Sequence, residues 1–184
     1  MGGNHPIGTT FRGNTVIRTF DEFRYFTTVR TLTANAFNGS YIQNIDLVNI
    51  RTMNAAVFAS SRVIYPWLPN LTTLDHASQA SNGVFYNCKK IVAIRFDSLN
   101  QLGTLSYDST ASYLVITTSF VCSGTSNIAQ GRTPSIVYVP DDLVTSYKAA
   151  ANWSEKTIRP ISQIPNYHPA CPWLDDLREK GFIS

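Results

Sequence analysis

The residue types that do acid–base, nucleophilic or metal chemistry are few in this 184-residue chain, and they are widely spaced. His5, His76 and His168 have no partner at the spacing that brings two side chains around one zinc ion. Solvated or hydrogen-bonded imidazoles are therefore expected. Cys88, Cys122 and Cys171 are odd in number and contain no C-x-x-C pair. They signal neither a disulfide framework nor a zinc site, and small buried side chains are expected. Adjacent acids stand at Asp21/Glu22, Asp141/Asp142 and Asp175/Asp176. Each pair falls where a helix is expected to start, and capping of unpaired N–H groups accounts for it without catalysis. The chain lacks a G-x-S-x-G elbow, a P-loop and a G-x-G-x-x-G turn. A catalytic pair would have to be assembled from distant segments, so the sequence predicts a non-enzyme with no metal and no cofactor.

The elements that would position such residues come from a chain with a neutral-polar surface. Charged residues are 15% of the total, the net charge is +3, and Ser, Thr and Asn make up roughly a quarter. No dense Lys/Arg stripe of the kind that binds phosphates is visible, so nucleic acid is not an expected partner. Arg12, Arg18, Arg24 and Arg30 recur every six residues, but that spacing drifts off any helical face and reads as coincidence. Three N-x-[S/T] sequons, at Asn38, Asn70 and Asn152, are expected by chance in such a composition. No apolar run approaches the roughly 20 residues of a membrane span, which predicts no membrane insertion. The N-terminal "MGGNHPIGTTFRGN" has neither the basic region nor the apolar core of an export signal.

Thr19 and Glu22 stand in the T-x-x-E relation of a capping box ahead of Phe23 and Phe26, which predicts one N-terminal helix. The segments "LTANAFNGSYIQNIDL" and "GVFYNCKKIVAIRF" then superpose once the loop is allowed one extra residue: Ile42, Ile45 and Leu47 follow Phe37 as Ile91, Ile94 and Phe96 follow Phe85, with the same I-x-x-I-x-[L/F] spacing. Phe58 and the pair Leu71/Leu74 lie between them. An irregular repeat of twenty-odd residues is a solenoid signal, because one unit cannot bury its apolar side alone. Alternation directs Ile45 and Leu47, or Ile94 and Phe96, to the core and Asp46 or Arg95 outward. Past residue 98 the repeat degenerates, although "SYLVITTSF" and "SIVYVP" read as strands. The strand Ile136–Val139 stops at Pro140, and Leu143, Val144, Tyr147, Ala150 and Ala151 give the next segment one apolar helical face. Tyr138, between Val137 and Val139, should point away from the core.

The phrases "FDEFRYFTTVRTLTANAF", "VFYNCKKIVAI" and above all "IVYVPDDLVTSYKAAANWSEKTIRPI" resemble the BspA-like leucine-rich repeat family over about residues 16 to 164. In that family an "AF-x-x-C" turn is followed by an "L-x-x-I-x-[I/L]-P" strand, and arrays close with a cap similar to Asp141 to Trp153. Cys88 keeps the turn cysteine, whereas Ser40 stands near its place in the first unit. The resemblance implies a β-rich α+β fold: a short leucine-rich-repeat solenoid with an N-terminal helix and a C-terminal capping helix. It also implies an adhesive or interaction role at a bacterial surface.

The expected organisation is an N-terminal arm (1–15), the capped solenoid (16–164) and a C-terminal docking tail (165–184). Candidate binding residues on the exposed strand face are Asp46, Asp75, Arg95 and Tyr138. Pro165, Pro169 and Pro172 favour an extended tail, and Trp173, Leu174 and Leu177 give its end an apolar stripe for docking. Function is thus expected to be non-enzymatic binding of protein or glycan, outside the cell, by a virion protein or a bacterial surface protein. A purely structural virion decoration or fibre component, and a fragment of a secreted surface adhesin, are the alternatives. Through its tail the chain would meet another copy of itself or a virion neighbour.

Overall fold

In the computed structural model, which describes residues 7–74, 83–102, 113–124 and 134–164, short parallel strands stack into a solenoid. The strands are β1 (Thr19–Phe20), β2 (Thr31–Leu32), β3 (Asn44–Ile45), β4 (Thr52–Met53), β5 (Trp67–Leu68), β6 (Thr73–Leu74), β7 (Ala93–Phe96), β8 (Gln101–Leu102), β9 (Tyr113–Ile116), β10 (Ser123–Gly124), β11 (Ile136–Val139) and β12 (Thr157–Pro160). β1 pairs with β3. One five-stranded sheet runs β2-β4-β6-β8-β10, and a second runs β5-β7-β9-β11-β12. Chain order alternates between the two sheets over most of the molecule, so successive coils lie one strand spacing, about 4.8 Å, apart.

The interior is built from equivalent positions. The rings of Phe11, Phe37, Phe58 and Phe85 stack with centroids 5.3, 5.1 and 5.7 Å apart. Their near-parallel planes follow from one residue being repeated coil after coil. Gly39, Ser60 and Asn87 share the next corner, where the chain takes a positive φ of 68°, 56° and 56°. Backbone bonds from Gly39 N to Ala59 O and from Ser60 N to Tyr86 O tie these corners together. The residues that follow, Ser40, Ser61 and Cys88, are all buried. Past residue 98 the coils continue, with Ala93, Ile94, Arg95 and Phe96 paired to Tyr113, Leu114, Val115 and Ile116. Leu99, Leu102, Leu114, Ile116 and Cys122 supply the core there, which is why no phenylalanine repeat marks this stretch.

Both expected helices are corrected. Thr19 belongs to β1, and Asp21–Tyr25 forms a single 3-10 turn whose N-cap is Phe20, with no side-chain cap. Pairing of Thr19 with Asn44 holds the residue extended and overrides the capping-box pattern. At the other end a 3-10 turn at Asp141–Leu143 leads into α1 (Val144–Ala149), only six residues long. Asp141 does not cap it; its Oδ1 accepts from Ser162 N at 3.2 Å, and the Ser162 side chain together with that backbone N–H holds its carboxyl below the usual range. The open edge at β10 is met mostly beyond this helix. Cys122 N donates to Tyr147 OH at 2.9 Å, Trp153 Nε1 donates to Cys122 O at 2.7 Å, and Asn152 Nδ2 donates to Gly124 O at 2.7 Å. Part of the segment read as an arm is packed as well: Ile7 and Phe11 lie against the core, and Gly13 N donates to Asn38 O. Among the described residues no helix is long and apolar enough to cross a membrane.

Candidate functional site

Two clusters of polar side chains stand on this scaffold, one on the outer face of the second sheet and one on a corner ridge. Strand register places Trp67, Arg95, Val115, Tyr138 and Arg159 in one column on that sheet. Asp97, just beyond β7, organises the cluster. Its Oδ1 accepts from Arg95 Nε at 2.6 Å and from Thr117 Oγ1 at 2.7 Å, and its Oδ2 accepts from Trp67 Nε1 at 2.8 Å. The Arg95 guanidinium carbon lies 5.7 Å from the centre of the Trp67 ring. A carboxylate with three donors fixes these side chains in place.

The candidates named from sequence are separated by this arrangement. Arg95 and Tyr138 do turn away from the main core, but they are only 6% and 8% exposed. Tyr138 belongs to a second apolar cluster with Ile64, Tyr65, Ala93, Val115 and Ile164, and its ring meets Tyr113 edge-on at 5.2 Å. Their assignment to an exposed face is therefore corrected: alternation fixes the face, while burial depends on what packs over it. Asp46 is half-buried on β3's coil and pairs with Arg24 at 3.1 Å, and it makes no bond to the Asp97 cluster among the described residues. Asp75, Trp173, Leu174 and Leu177 lie outside the described residues.

The ridge was not legible as a site. Tyr41 carries the Arg18 guanidinium carbon 4.5 Å from its ring centre and that of Arg62 at 3.5 Å. Backbone bonds from Gln43 N to Arg18 O and from Ile64 N to Gln43 O place the two arginines in the coils on either side of Tyr41. The ring thus lies between two cations, an arrangement favoured by the ring quadrupole. Its signal in the sequence was the period: Arg62 follows Tyr41 by the same 21 positions that separate Phe58 from Phe37. The six-residue arginine spacing pointed elsewhere, and its members do scatter. Arg18 goes to Tyr41, Arg24 to Asp46, and Arg30 to the carbonyl of Asn49.

The two described cysteines are fully buried, as expected, and Cys171 lies outside the described residues. Burial pushes the Cys88 thiol up to about 11 despite hydrogen bonds around Ser61, and that of Cys122 up to about 12. Such thiols are neutral at neutral pH and are not poised as nucleophiles. Among the described residues no group of three His, Cys, Asp or Glu side chains converges as a metal site would require. Compared with protein-family models, curated proteins and solved structures, the chain matches none.

Proposed function

We propose that the chain is a non-enzymatic recognition module, a short solenoid of the BspA-like leucine-rich-repeat kind that binds protein or glycan at the outer surface of a bacterial cell or phage particle. The observation that carries this reading is the ridge, where three successive coils offer Arg18, Tyr41 and Arg62 as one stacked array. Side chains already held against a ring lose little rotamer freedom on binding, and such preorganisation favours recognition. Closure of the array by residues 141–153 and docking of the tail 165–184 through Trp173 belong to the same proposal.

The test presents the full-length chain to arrays of glycans and extracellular proteins, beside turnover assays with ester, peptide, phosphate and glycoside substrates. Saturable binding to one class without turnover is the expected result. Turnover of any substrate, or no binding across both arrays, overturns it.

A further inference from the structure

We infer that the ridge is a site for an anionic polysaccharide, an extended glycan carrying carboxylate or sulfate groups; this rests on the recognition reading above. Arg18 and Arg62 are exposed, and each holds its guanidinium carbon over the Tyr41 ring, 4.5 and 3.5 Å from its centre. Stacking occupies the face of the planar group and leaves the edge, where the N–H donors lie, to grip a carboxylate or sulfate in bidentate fashion.

The next coil continues the charge. Cys88 Sγ lies 3.6 Å from Ser61 Oγ, and Val92 N donates to Ile64 O, so Lys89 and Lys90 fall at the corner beside Arg62. Both lysines are exposed. Among the described residues none of these four cations forms an ion pair. Asp21 accepts from Asn44 at 2.9 Å, and Asp46 pairs with Arg24.

Geometry selects the ligand class. The backbones at Arg18 and Arg62 are two coil spacings apart, about 10 Å, and those of the lysines lie about one spacing further along the same axis, while the two guanidinium carbons, 4.5 and 3.5 Å from one ring centre, are drawn to within about 8 Å of each other. A cationic column one side chain wide suits a linear anionic chain laid along the solenoid. Single-stranded nucleic acid also binds cationic grooves, but it gains from open aromatic faces on which bases stack. Here the Tyr41 ring lies between two guanidinium groups. A folded acidic protein would need a broad patch, about 800 Å² on each partner, around an aromatic anchor.

The experiment titrates the full-length chain with heparin and polygalacturonate as probes. Neutral dextran, polyglutamate and an oligothymidylate form the comparison arms, all between about 50 and 200 mM salt. Both anionic polysaccharides should bind, and Arg18→Gln/Arg62→Gln should weaken them at least about tenfold and reduce the salt slope by roughly two. Tyr41→Leu, which keeps every charge but removes the ring, should weaken binding by a smaller factor. Thermal melts confirm that each variant is folded. Absence of binding at low salt, undiminished binding by the double variant, or tighter binding of polyglutamate or oligothymidylate overturns the inference. Salt-insensitive binding to dextran, or to a protein on the arrays, would overturn it while leaving the recognition reading in place.

Discussion

Trp153→Ala removes the side chain on which closure of the C-terminal edge most depends. The indole is fully buried, meets Tyr147 edge-on with centroids 5.4 Å apart, and donates its N–H to the Cys122 carbonyl at 2.7 Å. Truncating a buried tryptophan to alanine costs about 3 to 5 kcal/mol through lost transfer free energy and the cavity left behind. The Cys122 carbonyl also loses a donor, which adds about 1 kcal/mol if no water replaces it. The sum is a large fraction of the roughly 5 to 15 kcal/mol that holds a domain folded. Equilibrium urea unfolding, followed by far-ultraviolet circular dichroism, should show a lower midpoint with an unchanged slope. Trp153→Phe separates the terms, since it keeps an aromatic ring and deletes the donor, and it should lose a smaller part. A loss below about 1 kcal/mol in Trp153→Ala would refute the assignment of this residue to the closing of the edge.

Other expected outcomes follow from the same contacts. Ser40 Oγ is buried without a hydrogen-bond partner among the described residues, so Ser40→Ala should gain about 1 kcal/mol in urea melts, and a loss would show a partner at work. Asp97→Ala deletes the acceptor shared by Arg95, Thr117 and Trp67 and should cost about 3 kcal/mol, with Asp97→Asn intermediate; an unchanged midpoint would dissolve the cluster as a structural unit. The raised thiols of Cys88 and Cys122 bear on alkaline stability, because the folded state favours the neutral form. Their contribution is complete below the ordinary value of 9.0 and is lost as pH rises through about 11 and about 12. Burial raises the Tyr147 phenol as well, in the same direction. The melting temperature should therefore hold up to about pH 9 and then fall, and a Cys88→Ala variant with an identical alkaline profile would contradict the assignment for that thiol.

The solenoid was legible because its signal is a period, and stacking enforces a period. Phe37, Phe58 and Phe85 are 21 and 27 positions apart in sequence, yet their rings form one continuous stack. Phe11, the outermost ring described, was missed because no recognisable repeat surrounds it. Beyond residue 98 the strand at Tyr113–Ile116 was legible, but its place in the repeat was not, because aliphatic residues and Cys122 fill the core positions of the described segments 99–102 and 113–124. Local rules failed where tertiary pairing outbid them. Thr19 pairs in β1 instead of capping a helix, and Asp141 bonds to Ser162, 21 positions away, instead of capping the turn that it begins. For Arg95 and Tyr138 the period of two gave the correct face and the wrong exposure, since Tyr138 joins a second apolar cluster on that face and Arg95 is held down by Asp97 beside the Trp67 ring. The ridge was hidden differently, because aligning Arg18, Tyr41 and Arg62 requires knowing which residues of neighbouring coils stand side by side.

Hydrogen–deuterium exchange of the full-length chain, with and without saturating heparin, tests most directly whether recognition takes place at that ridge. Protection on binding should concentrate in residues 14–18, 41–43, 60–64 and 88–92, which meet at the corner of successive coils, and Arg18→Gln/Arg62→Gln should need at least about tenfold more heparin to reach it. Protection confined to β2, β4 and β6 or to the Trp67 and Arg95 face, or an exchange pattern unchanged at saturation, would contradict it.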